Sequence, residues 1–165
     1  MPNPDHFDRV RQYLSLHGHM VKIKEFLGEG TDGAVWSTDD ASAIKVYHHE
    51  RGYFNERDSY ERLAHFGVTE RLNEFWIPAM RGFDDELLVV EMDLMQQRPY
   101  IIDFAKVKID RPPEFSDEVL QQLDDDGVEM FGDNWPAVQS LMSALESYQI
   151  YYLDPKPHNI VFPPA

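Results

Sequence analysis

The stretch Asp154-Pro155-Lys156-Pro157-His158-Asn159 determines how the rest of this sequence is interpreted. It lies between the apolar residues 151–153 and 160–162, and its two prolines exclude a helix or a continuous strand, so it is predicted to be a loop. The loop carries a carboxylate that can orient a hydroxyl proton, a lysine cation that can neutralise a phosphoryl group, and an amide oxygen that suits Mg²⁺. This combination favours phosphoryl-transfer chemistry over a plain turn.

A glycine motif near the start of the chain is the second candidate. Gly28, Gly30 and Gly33 lie between the strand-like runs 21–27 and 34–37. Glycines at this spacing allow a hairpin backbone to approach phosphates and to present its amides to them. A tight hairpin without a ligand is the alternative. A dinucleotide-binding fold is disfavoured, because a helix would have to follow the last glycine and the residues there are strand-like.

Lys45 and Glu56 form the third candidate. Lys45 lies within the apolar strand-like run 43–47, and Glu56 lies on a helix predicted over 49–66. An acid on that helix can pair with the lysine and fix its position. The alternative is that both are solvated surface charges.

In this order, over residues 21–162, the motifs resemble the eukaryotic-type protein kinase superfamily. Ala43-Ile44-Lys45 resembles the Val-Ala-Ile-Lys strand of that family, and residues 88–93 resemble the strand that leads to the adenine-binding hinge. The resemblance implies ATP and Mg²⁺ as cofactors. The implied nucleotide contacts are Gly28, Gly30, Gly33, Val35, Ala43, Lys45, Val90, Glu91 and Asp93; the implied catalytic residues are Asp154, Lys156, Lys45 and Glu56; the implied metal ligand is Asn159.

The sequence departs from the family pattern in two ways. Leu153 stands where many kinases have an arginine, so control by a phosphorylated activation loop is not expected. No Asp-Phe-Gly segment follows Asn159 in the printed sequence, so one Mg²⁺ ligand and most of the peptide-docking platform would be missing. Asp103, in Ile102-Asp103-Phe104, could replace the missing aspartate of the Asp-Phe-Gly segment, although it comes earlier in the chain. For this, residues 160–162 would have to pair with 100–102, which would bring Asp103 beside Asn159. A chance apolar strand ending in Asp-Phe is the alternative.

The predicted fold class is α+β and protein-kinase-like, as one domain over residues 1–165. A helix within residues 1–20, ended by Gly18, precedes an N-lobe over 21–93 with a five-stranded antiparallel sheet and one packed helix. A reduced helical C-lobe over 94–165 ends in the catalytic-loop hairpin. In this lobe we expect an extended run over 100–109, a helix from Ser116 with a break at Gly127, and a helix that starts at Pro136.

The composition limits the partners. Thirty acidic residues against 15 basic ones give a net charge of −15, which argues against nucleic acid and anionic membranes as partners. The chain has no cysteine, and no targeting segment is recognised, so a cytoplasmic protein is expected. The pairs His17/His19 and His48/His49 lack a third ligand at suitable spacing, which disfavours a metal site.

The sequence therefore predicts a kinase-like protein that binds ATP and Mg²⁺, in its fullest form a minimal phosphotransferase acting on a hydroxyl acceptor. The alternatives are a pseudokinase without turnover and an acidic regulatory module that binds a protein partner. Such a partner could complete the short C-lobe. The acceptor and the oligomeric state stay open.

Overall fold

The structure, a computed structural model, describes residues 3–17 and 20–165, so the expected helix end at Gly18 and the residue His19 lie outside it. The elements are α1 (Pro4–Leu16), β1 (Ile23–Glu29), β2 (Gly33–Thr38), β3 (Ser42–Tyr47), α2 (Glu50–His65), β4 (Arg71–Leu72), β5 (Phe75–Trp76), β6 (Met80–Asp84), β7 (Val89–Asp93), β8 (Tyr100–Ile101), β9 (Val107–Ile109), α3 (Asp117–Phe131), a 3₁₀ turn (Gly132–Asn134), α4 (Trp135–Glu146), β10 (Ile150–Tyr152) and β11 (Ile160–Val161). No helix in the described ranges has the length and apolar character needed to cross a bilayer.

The predicted five-stranded antiparallel sheet is confirmed, with the strand order β1-β2-β3-β7-β6. The helix predicted within residues 21–93 is α2, and α1, which was predicted without a packing partner, covers the other face of this sheet. Ala43 and Tyr47 of β3 pack in the cluster that contains the apolar face of α2, whereas Ile44 and Val46 pack with α1. A strand that is apolar on both faces needs cover on both.

A second group of strands lies beyond β7. The sheet order β11-β8-β5-β4 and the pair β10-β9 bring the end of the chain beside its middle. The expected extended run over 100–109 is wrong, because β8 and β9 are separated by a turn in which Asp103 has a φ of 68°. Aspartate adopts this left-handed conformation more readily than most residues. The short strands β4 and β5 were not predicted.

The helix α3 starts as predicted, with the Ser116 hydroxyl accepting a hydrogen bond from the Val119 N–H. The expected break at Gly127 is wrong, because the helix continues through it. A Cβ at Gly127 would overlap the indole ring of Trp135, so the glycine allows α3 and the start of α4 to approach closely. Pro136 is the second residue of α4, close to its predicted place.

Candidate active site

A cleft with a volume of about 520 Å³ lies between the five-stranded sheet and the β8–β11 pair. Val35 and Ala43 line the sheet side, and Tyr100 and Ile102 line the opposite side. The predicted site residues that line this cleft are Gly28, Gly30, Gly33, Val35, Ala43, Lys45, Glu56, Asp93, Asp103, Asp154 and Asn159. The fold therefore brings together motifs that are separated by more than a hundred positions in the sequence.

The glycine hairpin is held at its base. The Gly30 N–H donates to the Gly33 carbonyl oxygen at 2.9 Å, and the His48 N–H donates to the Asp32 carbonyl oxygen at 3.0 Å. A Cβ at Gly33 would overlap the Val46 carbonyl, whereas a Cβ at Gly30 would meet no atom within 4 Å. Gly33 is thus required by packing, while Gly30 leaves backbone open beside the cleft.

Lys45 is buried and contacts two carboxylates. Its Nζ lies 3.4 Å from Glu56 Oε2 and 3.1 Å from Asp103 Oδ1. Burial by itself would lower the pKa of Lys45, but the two carboxylates outweigh burial and leave the pKa above its usual value. The lysine is therefore a fixed cation inside the cleft. One lysine charge facing two carboxylates leaves the group with an excess of negative charge.

Glu56 connects the lysine to the turn after β8. Its Oε2 also accepts a hydrogen bond from the Phe104 N–H at 2.9 Å, and its Oε1 accepts one from the Tyr60 hydroxyl at 3.3 Å. Burial raises the pKa of Glu56, an effect that Lys45 opposes. The two bonds beyond the ion pair hold the carboxylate of α2 in one position.

Asp103 and Asn159 meet through the predicted strand pairing. In the antiparallel pair β8–β11, Ile160 lies opposite Ile101, and the Ile102 N–H donates to the Asn159 carbonyl oxygen at 2.8 Å. As a result, Asp103 and Asn159 line one small cavity of about 10 Å³. Carboxylate and amide oxygens are ligands suited to Mg²⁺.

The charge state of Asp103 also suits a cation. Its burial opposes ionisation, but the Lys45 ammonium outweighs burial and lowers the pKa of the carboxyl, so it is ionised at neutral pH. Its hydrogen bonds from Lys45 and from the Ala105 N–H both end on Oδ1, and Oδ2 takes part in neither. The residues present therefore fit a magnesium ion in the cleft.

Tyr152 was not predicted as part of the site. Its hydroxyl lies 2.9 Å from each of the carbonyl oxygens of Ile102 and Asp103. The phenol of β10 thereby fixes the backbone that carries Asp103. Its position just before the Asp154 loop is the signal in the sequence that points to it.

Asp154 is positioned between two lysines, one of them unpredicted. Lys106 Nζ lies 3.4 Å from Asp154 Oδ2, and Lys156 Nζ lies 3.6 Å from Asp154 Oδ1. Lys106 Nζ also lies 3.8 Å from the carboxylate of Asp32, in the glycine hairpin. Lys156 is beside the catalytic candidate but does not line the cleft.

A second cavity, of about 570 Å³, adjoins the cleft. Asp32, Lys106 and Asp154 line both cavities. The second cavity also contacts the start of α2 at Arg51 and Asn55. Asp154 therefore lies at the border between the predicted nucleotide cleft and a space large enough for a second small molecule.

Two predicted nucleotide contacts, Val90 and Glu91, do not line the cleft. Both lie in β7, which pairs with β3 on one side and β6 on the other. Val90 is fully buried in the core, and Glu91 faces α1, where its carboxylate accepts hydrogen bonds from Ser42 and Tyr13. Within β7 only Met92 and Asp93 line the cleft, at the end of the strand. Alternate residues of a strand face opposite sides, which places Glu91 towards α1, whereas Val90 faces the core.

Comparisons with known proteins show a likeness to solved structures but not to a family model. No family model matches the chain, and no curated protein matches it. Among solved structures, the streptomycin–ATP–APH(2″)-IIa ternary complex is similar over 96% of this chain, with 16% sequence identity and a TM-score of 0.44. The match covers 43% of that protein's chain, so the present chain spans less than half its length.

Proposed function

We propose that this protein is a kinase-like phosphotransferase that binds ATP with Mg²⁺ in the cleft and transfers the terminal phosphoryl group to a hydroxyl acceptor in the adjoining cavity. The observation that supports this most directly is that Asp154 borders both cavities. A group that accepts the acceptor's proton must stand between the two reactants.

The residues of the cleft have separate tasks in this proposal. Lys45, held by Glu56, contacts the phosphates, and the open backbone at Gly30 allows close approach to them. Asp103 and Asn159 would hold Mg²⁺, which when bound neutralises charge on the phosphates. Asp154 orients the acceptor hydroxyl. Catalysis of this kind depends mainly on placement and electrostatics.

A second candidate function is nucleotide binding without turnover. It is favoured by the lysines around Asp154, because Lys106 and Lys156 each engage one of its two oxygens. These contacts compete with an acceptor hydroxyl for the carboxylate. In the phosphotransferase, one of these two lysines has to release an oxygen of Asp154 for the acceptor hydroxyl.

Labelled ATP distinguishes the two candidates. Phosphate release and self-phosphorylation are measured for the natural protein, for Asp154→Asn, and for Asp8→Asn as an exposed carboxylate control on α1. The phosphotransferase loses about 100-fold or more of its turnover in Asp154→Asn and keeps it in the control. Thermal unfolding with ATP, with and without Mg²⁺, is recorded in parallel. A Mg²⁺-dependent stabilisation without turnover establishes the second candidate, and no stabilisation at saturating ATP refutes both.

A further inference from the structure

Three side chains with metal-binding atoms converge beneath the glycine hairpin, and of the three only Glu29 also lines the cleft. His6 lies on the first turns of α1, Glu29 is the last residue of β1, and His48 directly follows β3. Their ligand atoms lie within 4.8 Å of one another, and no other group of three His, Asp or Glu residues meets this criterion in residues 3–17 and 20–165. Sequence spacing could not indicate this site, because each ligand comes from a different element.

The nitrogen contacts of this cluster need more N–H hydrogens than two neutral imidazoles carry. His48 Nε2 lies 3.0 Å from the Gly30 carbonyl oxygen, His48 Nδ1 lies 3.2 Å from His6 Nε2, and His6 Nδ1 lies 3.5 Å from Glu29 Oε1. The chain of contacts ends in an acceptor oxygen on both sides. Three gaps need three hydrogens, whereas two neutral imidazoles supply two.

The nitrogen that is left without a hydrogen bond is Nδ1 of His6. This nitrogen is buried and has no hydrogen-bond partner, although it points towards a carboxylate. An unsatisfied buried acceptor beside a carboxylate is costly unless a cation lies between them.

We propose that His6, Glu29 and His48 form a binding site for a divalent transition-metal ion of the Zn²⁺ type, distinct from the Mg²⁺ site of the cleft. Glu29 Oε1 lies 3.5 Å from His6 Nδ1 and 3.8 Å from His48 Nε2. Adjacent ligands of a tetrahedral zinc ion with bonds of about 2.0–2.2 Å are separated by about 3.4 Å, so the two distances from Glu29 are close to this spacing, and rotation of the imidazole rings would complete the site. Two imidazoles and one carboxylate suit Zn²⁺, whereas Mg²⁺ and Ca²⁺ prefer oxygen ligands.

The ion would link α1 to the glycine hairpin. Glu29 and His48 are partly exposed, which gives the ion a path of entry and leaves a coordination position for water. Coordination through His6 Nδ1 and His48 Nε2 places a hydrogen on each of the two nitrogens that now share a hydrogen bond. The imidazole rings therefore turn apart, and His48 releases the Gly30 carbonyl. Metal binding thus replaces the contact between His48 and the Gly30 carbonyl by coordination of His48 and Glu29 to one ion.

The experiment is a titration of metal-depleted protein with Zn²⁺ in the absence of nucleotide, followed by calorimetry and by thermal unfolding. One equivalent is expected to bind, and free Zn²⁺ at about 100 times its dissociation constant should lower the unfolding equilibrium constant about 100-fold. Mg²⁺ in the same titration should have no such effect. Because ATP is absent, a failure of the proposed phosphotransferase function leaves this result unaffected.

The variants Glu29→Gln and His48→Gln assign the site. Each should weaken Zn²⁺ binding at least about 10-fold, since even outer-shell partners of metals contribute 10- to 100-fold. His65→Gln, which removes an exposed histidine of α2, should bind as the natural protein does. Because Glu29 and His48 are partly exposed, these variants test the site even if a change at the buried His6 prevents folding. Absence of binding, or equal binding by all variants, overturns the proposal.

Discussion

Replacing Lys45 by Met tests whether the ion pair in the cleft also supports the fold. Met keeps most of the length of the side chain and removes the charge. Glu56 and Asp103 then lose their shared cation, while Glu56 stays buried on α2. Removal of one partner of a buried ion pair typically costs about 3 to 5 kcal/mol, because the remaining charge is left without compensation.

The expected loss is large for a chain of this size. A change of 1 kcal/mol shifts the melting temperature of a 150- to 250-residue protein by about 2 to 4 °C, so Lys45→Met should lower it by about 6 to 20 °C. Without Lys45, the pKa of Glu56, already raised by burial, rises further. An acid whose pKa is raised in the folded state loses stability as the pH rises above its ordinary value of 4.5, so the defect is smaller in acid.

Thermal and urea unfolding across a pH series measure both effects. Lys106→Met is the matched control, because Lys106 also contacts carboxylates but is half exposed, and its loss should cost less than about 1 kcal/mol. The double variant Lys45→Met with Glu56→Gln should be more stable than the sum of the two single changes predicts. Equal defects in Lys45→Met and Lys106→Met, or strictly additive effects, would show that the pair is not coupled.

Four single substitutions give further predictions. Gly30→Ala should leave thermal unfolding unchanged but weaken Mg²⁺-dependent stabilisation by ATP, whereas Gly33→Ala should lower the unfolding free energy by about 1 to 3 kcal/mol, because its Cβ would overlap the backbone of β3. Gly127→Ala should also destabilise by about 1 to 3 kcal/mol in urea unfolding, although helix propensity alone predicts a gain of about 1 kcal/mol, because the methyl group would overlap the Trp135 ring. Burial opposes ionisation of Asp84, but hydrogen bonds from the following backbone and from His17 outweigh it and lower the pKa of Asp84. Asp84→Asn should therefore lower the unfolding free energy at neutral pH. The difference from the natural protein should shrink as the pH falls below about 3.8. A difference that persists unchanged in acid contradicts this last reasoning.

The parts of the fold that could be predicted have local causes. The five-stranded sheet follows from apolar runs separated by glycine and aspartate turns, and α2 follows from one long apolar face. The break in the run 100–109 depends on Asp103, whose left-handed backbone is fixed by contacts from Tyr152. The continuity of α3 through Gly127 depends on Trp135. Such contacts between distant segments leave no mark on local periodicity.

In the candidate site, too, some residues could be predicted from local sequence patterns and others could not. Lys45, Glu56, Asp103 and Asn159 could be named because their motifs occur in recognisable surroundings, and the structure brings them to one cleft. Lys106 could not be named in this way, since an exposed lysine in a loop has no distinctive pattern. Glu91 does not line the cleft, because resemblance gives the position of a strand but not which face each of its residues takes.

The bond from the Phe104 N–H to Glu56 has a consequence for binding affinity. The same carboxylate also holds Lys45, so the position of α2, the lysine and the turn that carries Asp103 are fixed by one side chain. In proteins that must first change shape, the measured affinity is reduced by the fraction of molecules in the competent state. Because one carboxylate joins these three parts, we expect them to take up their positions together when the chain folds, so that binding in the cleft would not have to assemble them separately.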